Sequence, residues 1–138
     1  MVVIGWDASD LQDYLNRAAA TQDRVLVREP TPEKGFFYRS DHFIFAKKGV
    51  PMMYAEAGND IRGKGVEWGT QQQADYTANR YHKPGDEYDQ SWDIAGIFQD
   101  LEMNYLVAQE ILNSDDWPEW RPGNEFRKIR EQSLASSP

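Results

Sequence analysis

Val2-Val3-Ile4-Gly5 and, some twenty residues on, Arg24-Val25-Leu26-Val27-Arg28 enclose the segment that decides the fold. Val2-Val3-Ile4 is a β-branched run ended by a glycine, the pattern of an interior strand. Leu11, Tyr14, Leu15, Ala18 and Ala19 follow at helical spacing, with the helix ending near Thr21-Gln22. Ser9 with Gln12 three residues later reads as a capping box. Residues 24–28 read as a second strand. Strand, helix of about three turns and strand make a βαβ unit, which predicts a parallel pair joined by a right-handed crossover. The fold class is α/β.

Outward from this unit, Glu29-Pro30-Thr31-Pro32-Glu33-Lys34-Gly35 reads as a loop, because two prolines and a glycine oppose regular structure. Phe36, Phe37 and Tyr38 form an aromatic cluster. Ser40 is placed to cap a short helix from Asp41 to about Lys48, with Gly49 just past its end. Val50 to Ala55 reads as a third strand with Pro51 at its start. Gly58 to Gly69 carries four glycines and reads as irregular. Gln71 to Asn79 supports only a helical turn or two. Ile94, Ile97, Phe98, Leu101, Tyr105, Leu106, Ala108, Ile111 and Leu112 keep a 3.6-residue period, which predicts a long amphipathic helix packed on the sheet, stopped by Asn113-Ser114-Asp115. Asp115 to Pro122 reads as an aromatic-proline strap, Phe126 to Glu131 as a short charged helix, and Ser133 to Pro138 as a frayed tail.

Composition narrows the function. At 138 residues the chain is a single domain, divided as 1–57 (the βαβ unit and third strand), 58–90 (a loop with a histidine motif) and 91–138 (the long helix and strap). Its 40% apolar content, five Trp and seven Tyr belong to a folded protein. A net charge of −8 argues against a nucleic-acid partner. The absence of cysteine removes disulfides, thiolate metal sites and a cysteine nucleophile. No apolar run approaches the ~20 residues of a membrane span, and Met1-Val2-Val3-Ile4-Gly5 has neither the basic region nor the cleavage site of a signal peptide. The compartment stays open.

Two histidines stand in dense polar-aromatic surroundings. One lies in Arg80-Tyr81-His82-Lys83-Pro84-Gly85-Asp86-Glu87-Tyr88-Asp89, the other in Arg39-Ser40-Asp41-His42-Phe43. A neutral imidazole is a good zinc ligand, and a nearby carboxylate orients it. Each of these residues also has a plainer reading. Asp41 fits an N-terminal helix acid favoured by the dipole, His42 a core histidine, Tyr81 a packing residue and Asp86 a turn former.

In this order and separation, the Ser40-Asp41-His42-Phe43 and Arg80-Tyr81-His82 blocks resemble the C-terminal part of the bacterial zinc aminopeptidases. These are co-catalytic two-zinc exopeptidases, related by fold to glutaminyl cyclase. The similarity runs from Val2 to about Ser133 and takes in Ala74 to Arg80 and Trp117 to Gly123. The resemblance implies a partial three-layer zinc-exopeptidase-like sheet with flanking helices. It makes His82 a zinc ligand and Tyr81 a phenol aimed at the oxyanion of a tetrahedral intermediate. It makes Asp41 a buried acid that helps hold the catalytic proton, with His42 behind it, and gives Asp86 the task of orienting the loop or imidazole. It implies a peptide substrate.

The family site also needs a His-x-Asp pair, an adjacent Glu-Glu pair and a further acidic ligand. The sequence contains no His-x-Asp and no Glu-Glu. A catalytic zinc takes about three protein ligands, and here the resemblance supplies one. The expectation is therefore a C-terminal portion of a larger peptidase, cut before an interior strand. Zinc binding is expected to be weak or absent and the chain inactive or feeble alone, its uncovered edges and apolar surface driving homo-oligomer formation. Two other readings stand beside it. One is an independent small hydrolase using Asp41, His42, His82 and Asp86; the other is a non-enzymatic binding or assembly domain presenting Trp117 and Trp120.

Overall fold

A computed structural model describes residues 1–136. Three strands, β1 (Val2–Ile4), β2 (Val27–Arg28) and β3 (Tyr54–Glu56), form a sheet in the order β2-β1-β3. Helices α1 (Leu11–Ala20), α2 (His42–Ala46), α3 (Gly65–Asn79), α4 (Ala95–Leu112) and α5 (Arg127–Ala135) complete the α/β architecture. β1 pairs parallel with β2, Val2 opposite Val27 and Val3 opposite Arg28, as the βαβ reading predicts. On its other side it pairs antiparallel with β3, Val3 opposite Ala55.

Side chains alternate across a strand, so β1 feeds two cores. Val3 packs with Leu15, Ala18 and Ala19 of α1, Leu26, and Met103 and Val107 of α4. Ile4 packs with Phe37, Ala46, Trp120 and Phe126 on the opposite face. Leu15, Met103 and Trp120 are fully buried, and burying an apolar side chain of the Leu or Met type is worth about 1.5–3 kcal/mol.

Helix α4 spans the predicted residues but packs on α1 rather than flat on the sheet. Arg17 Nη2 meets Glu110 at 2.7 Å, and Arg24 Nη1 meets Asp100 at 2.6 Å. Only Met103 and Val107 are buried along it, while Ile97, Phe98, Leu101, Tyr105 and Leu112 stay exposed. The expected single amphipathic face is in fact two apolar stripes, and a 3.6-residue count does not separate them.

The predicted caps are replaced. Gln12 Oε1 accepts the Asp7 N–H at 2.7 Å, and Ser9 Oγ donates to the Met52 carbonyl. Asp10 holds the N-cap position of α1, and its carboxylate accepts the Glu119 N–H instead of a helix donor. Ser40 Oγ donates to the Phe36 carbonyl, leaving Asp41 at the N-cap of α2. Ser9 and Asp10 are taken by partners distant in sequence, and Gln12 and Ser40 by nearby backbone groups outside the helix. The loop 29–35 contains one 3-10 turn, Pro32–Lys34, and the aromatic cluster forms another, Phe36–Arg39.

The largest departure is α3. The irregular segment ends at Lys64, and a 15-residue helix runs through Asn79. Its glycines and its run of Thr and Gln conceal it from periodicity. Gly69, its one buried residue, lets the helix touch the preceding loop, since a Cβ there would lie 2.1 Å from the Asn59 carbonyl oxygen. The tail is also more regular than expected, being helical through Ala135; residues 137–138 lie outside the described residues.

The strap closes the second core. Ser9 and Trp120 form an antiparallel bridge, Asp10 N–H donates to the Glu119 carbonyl, and Arg121 N–H donates to that of Ala8. Trp120 Nε1 donates to the Gly49 carbonyl at 2.9 Å, while Trp117 is exposed. Replacing Trp120 by Ala removes a buried ring and its hydrogen bond, for an expected loss of roughly 3–5 kcal/mol. Equilibrium urea unfolding checks this, and a midpoint unchanged from the parent chain contradicts it.

Candidate functional site

The histidine motif lies where α3 ends. The Arg80 and Tyr81 N–H groups both donate to the Tyr76 carbonyl, at 2.8 and 2.9 Å, and close the helix. His82 then enters the left-handed region at φ 56°, a conformation that costs a non-glycine residue of order 1–3 kcal/mol. Turn bonds from Lys83 N–H to the Arg80 carbonyl and from Asp86 N–H to the Lys83 carbonyl carry the chain back. The Asp86 carboxylate accepts the Tyr76 hydroxyl at 2.9 Å, tying the turn to the helix, and this bond holds the Tyr76 phenol above its ordinary pKa. The Tyr81 ring sits edge-on to the His82 imidazole, centroids 4.1 Å apart. His82 is exposed, and among the described residues its ring nitrogens bond to no side chain or carbonyl.

Asp41 and His42 form a second grouping. Asp41 is exposed at the N-cap of α2, not buried as the resemblance implies. The His42 imidazole lies 4.7 Å from the Phe37 ring and 5.1 Å from that of Tyr54. Its Nε2 is closed off from solvent without a partner, and desolvation lowers its pKa.

Tyr54 stands between the groupings, and composition gave no reason to single it out. Its hydroxyl donates to Glu56 Oε1 at 2.5 Å. Burial foremost, then this bond, raises its pKa, with a further contribution from the Tyr81 phenol. Glu56 and Tyr81 both line a cleft of about 850 Å³ bounded by β1, the Pro30–Phe36 loop and α3. Tyr54 and Glu56 are two apart on a strand and so share a face, a signal present in the sequence. Of the five residues singled out there, Tyr81 alone lines this cleft; Asp41, His42, His82 and Asp86 do not.

The profile of the family described as Peptidase family M28 matches residues 3–106. The chain belongs to peptidase family M28. The match takes in the sheet except Val2, both histidine blocks and the first two-thirds of α4, and it ends before the strap. No curated protein and no solved structure matches the chain.

The M28 fold puts a peptidase-type hydrolase architecture here, but the donor set does not fit a zinc centre. Among the described residues no group of three or more His, Asp or Glu side chains is arranged to hold a metal ion. Asp86, the acid nearest His82 in sequence, is committed to Tyr76. No catalytic step is therefore derived through a metal.

Because His42 has a folded pKa below the unfolded value of ~6.5, the unfolded chain takes up that proton first as the pH falls. The stability His42 contributes is thus present above the unfolded pKa. It is lost as the pH drops through that value toward the folded pKa. His42→Phe keeps a ring between Phe37 and Tyr54 and cannot titrate. The melting temperature of this variant should fall less than that of the parent chain between about pH 7.5 and about pH 5. Equal falls in scanning calorimetry would contradict the assignment.

Proposed function

We propose that the chain is the histidine-bearing C-terminal part of a zinc-dependent aminopeptidase-type hydrolase. In this reading His82 is one metal ligand, and Tyr81 and the larger cleft form part of the peptide-binding surface. The remaining ligands and the general base come from residues outside this chain. The observation that carries it is the Tyr81-His82 turn. An exposed imidazole with unengaged nitrogens is held in a strained conformation, and the adjacent phenol opens onto the cleft. Asp41 and His42 support the α2 side behind Tyr54, and Asp86 fixes the turn.

Zinc titration followed by NMR of the two imidazoles tests this. The chain alone should bind zinc weakly, with a Kd on the order of 1 mM, at His82, and His82→Ala should abolish that binding. It should also show no turnover of aminoacyl-anilides. A stoichiometric site of about micromolar Kd or tighter, built by this chain alone, would refute the proposal. The same result with hydrolytic activity would favour the independent hydrolase.

The chain is also proposed to self-associate through α4. Ile94, Phe98, Leu101, Tyr105, Ala108 and Leu112 recur at alternating spacings of four and three, the seam of a coiled coil, with no charge among them. The five large ones are exposed. Light scattering should show mass rising toward a dimer with concentration, and Leu101→Glu should return it to monomer. A strict monomer for the unaltered chain at about 1 mM would exclude it.

A further inference from the structure

We infer that two copies of the chain join through α4 in antiparallel orientation, about a twofold axis that passes the helix at the level of Met103. The inference rests on the self-association proposed above and assigns its geometry.

The side of α4 that is already occupied fixes how the helix is turned. Met103 and Val107 are buried in the core shared with α1, and Asp100 and Glu110 pair with Arg24 and Arg17. These four positions recur at spacings of three and four, so they make one stripe. The seam from Ile94 to Leu112 is thereby held outward, with its large side chains exposed. It holds no charge, in a chain of net charge −8. A surface that covers it must itself bring no unpaired charge, and the same seam on a second copy meets that condition.

The order of the side chains sets the direction. The seam spacings run four, three, four, three and four, the same from either end. An antiparallel pair centred at Met103 therefore matches every seam residue with one of the second copy. Ile94 meets the second copy's Leu112, Phe98 its Ala108, and Leu101 its Tyr105. Each aromatic ring then faces a smaller side chain. A parallel pair instead sets Phe98 on Phe98 and Tyr105 on Tyr105, and leaves a gap where Ala108 meets Ala108. Facing positions interdigitate best when large meets small, and a gap in an apolar contact is destabilising. Antiparallel helices also set their dipoles head to tail. The seam is about 27 Å long, which suits a small, reversible interface.

Distances between spin labels test this. The chain has no cysteine, so Ala95→Cys and Asn104→Cys each take a single nitroxide, at exposed positions that flank the seam. In the antiparallel pair the two labels are offset along the axis by about 24 Å at 95 and about 3 Å at 104. Dipolar electron resonance should therefore read a separation roughly twice as long at 95 as at 104. Parallel helices carry no offset, so separations equal within about 5 Å at the two positions would overturn the inference. So would a dimer whose labels at 104 lie more than about 30 Å apart. Light scattering of the unaltered and labelled chains separates the two readings. Dimeric mass with equal separations overturns the orientation alone, and a strict monomer overturns both.

Discussion

The structure depends on the attachment of the strap to the turn between β1 and α1. β1 is three residues long and gains little from its own ladder. Both cores converge on it, so whatever fixes residues 5–13 fixes the sheet. Arg121 reaches Asp7 at 3.1 Å and both Asp13 oxygens at 2.7 Å, and these bonds, Asp13 foremost, raise its pKa. The partners are half exposed, so the ion pairs contribute about 0.2–1 kcal/mol each. Burial of the Trp120 ring outweighs them. The charges select the register of the strap, and the tryptophan supplies most of the free energy.

The legible parts of the sequence were those where one physical signal dominates. β-branched residues before Gly5 mark β1, and α1 carries a clean stripe from Leu11 to Ala19, so their ranges are close. The parallel pairing followed from the helix between the strands. α3 was missed because Gly65, Gly69 and three consecutive glutamines carry no periodic signal; contact of Gly69 with the 58–64 loop compensates for weak propensity. The capping box does not form because Ser9 bonds to the Met52 carbonyl, far off in the chain, and Gln12 turns back to the nearby Asp7 N–H. In the candidate site, the histidine turn was readable as a turn. The cleft formed by Tyr81 and Glu56 was not, since it depends on where α3 comes to rest.

The two histidines differ in what their surroundings allow. His42 is enclosed by Phe37 and Tyr54, with one nitrogen sealed off and desolvation opposing its charge. A base so placed has no route to a substrate proton without moving α2. His82 is exposed and unengaged, but it stands without nearby acids free to share a metal with it. An independent acid–base pair needs both groups within hydrogen-bond reach of one reacting atom. One imidazole is half-buried between aromatic rings and the other lies on a turn at the end of α3, which weighs against a hydrolase made from Asp41, His42, His82 and Asp86 alone.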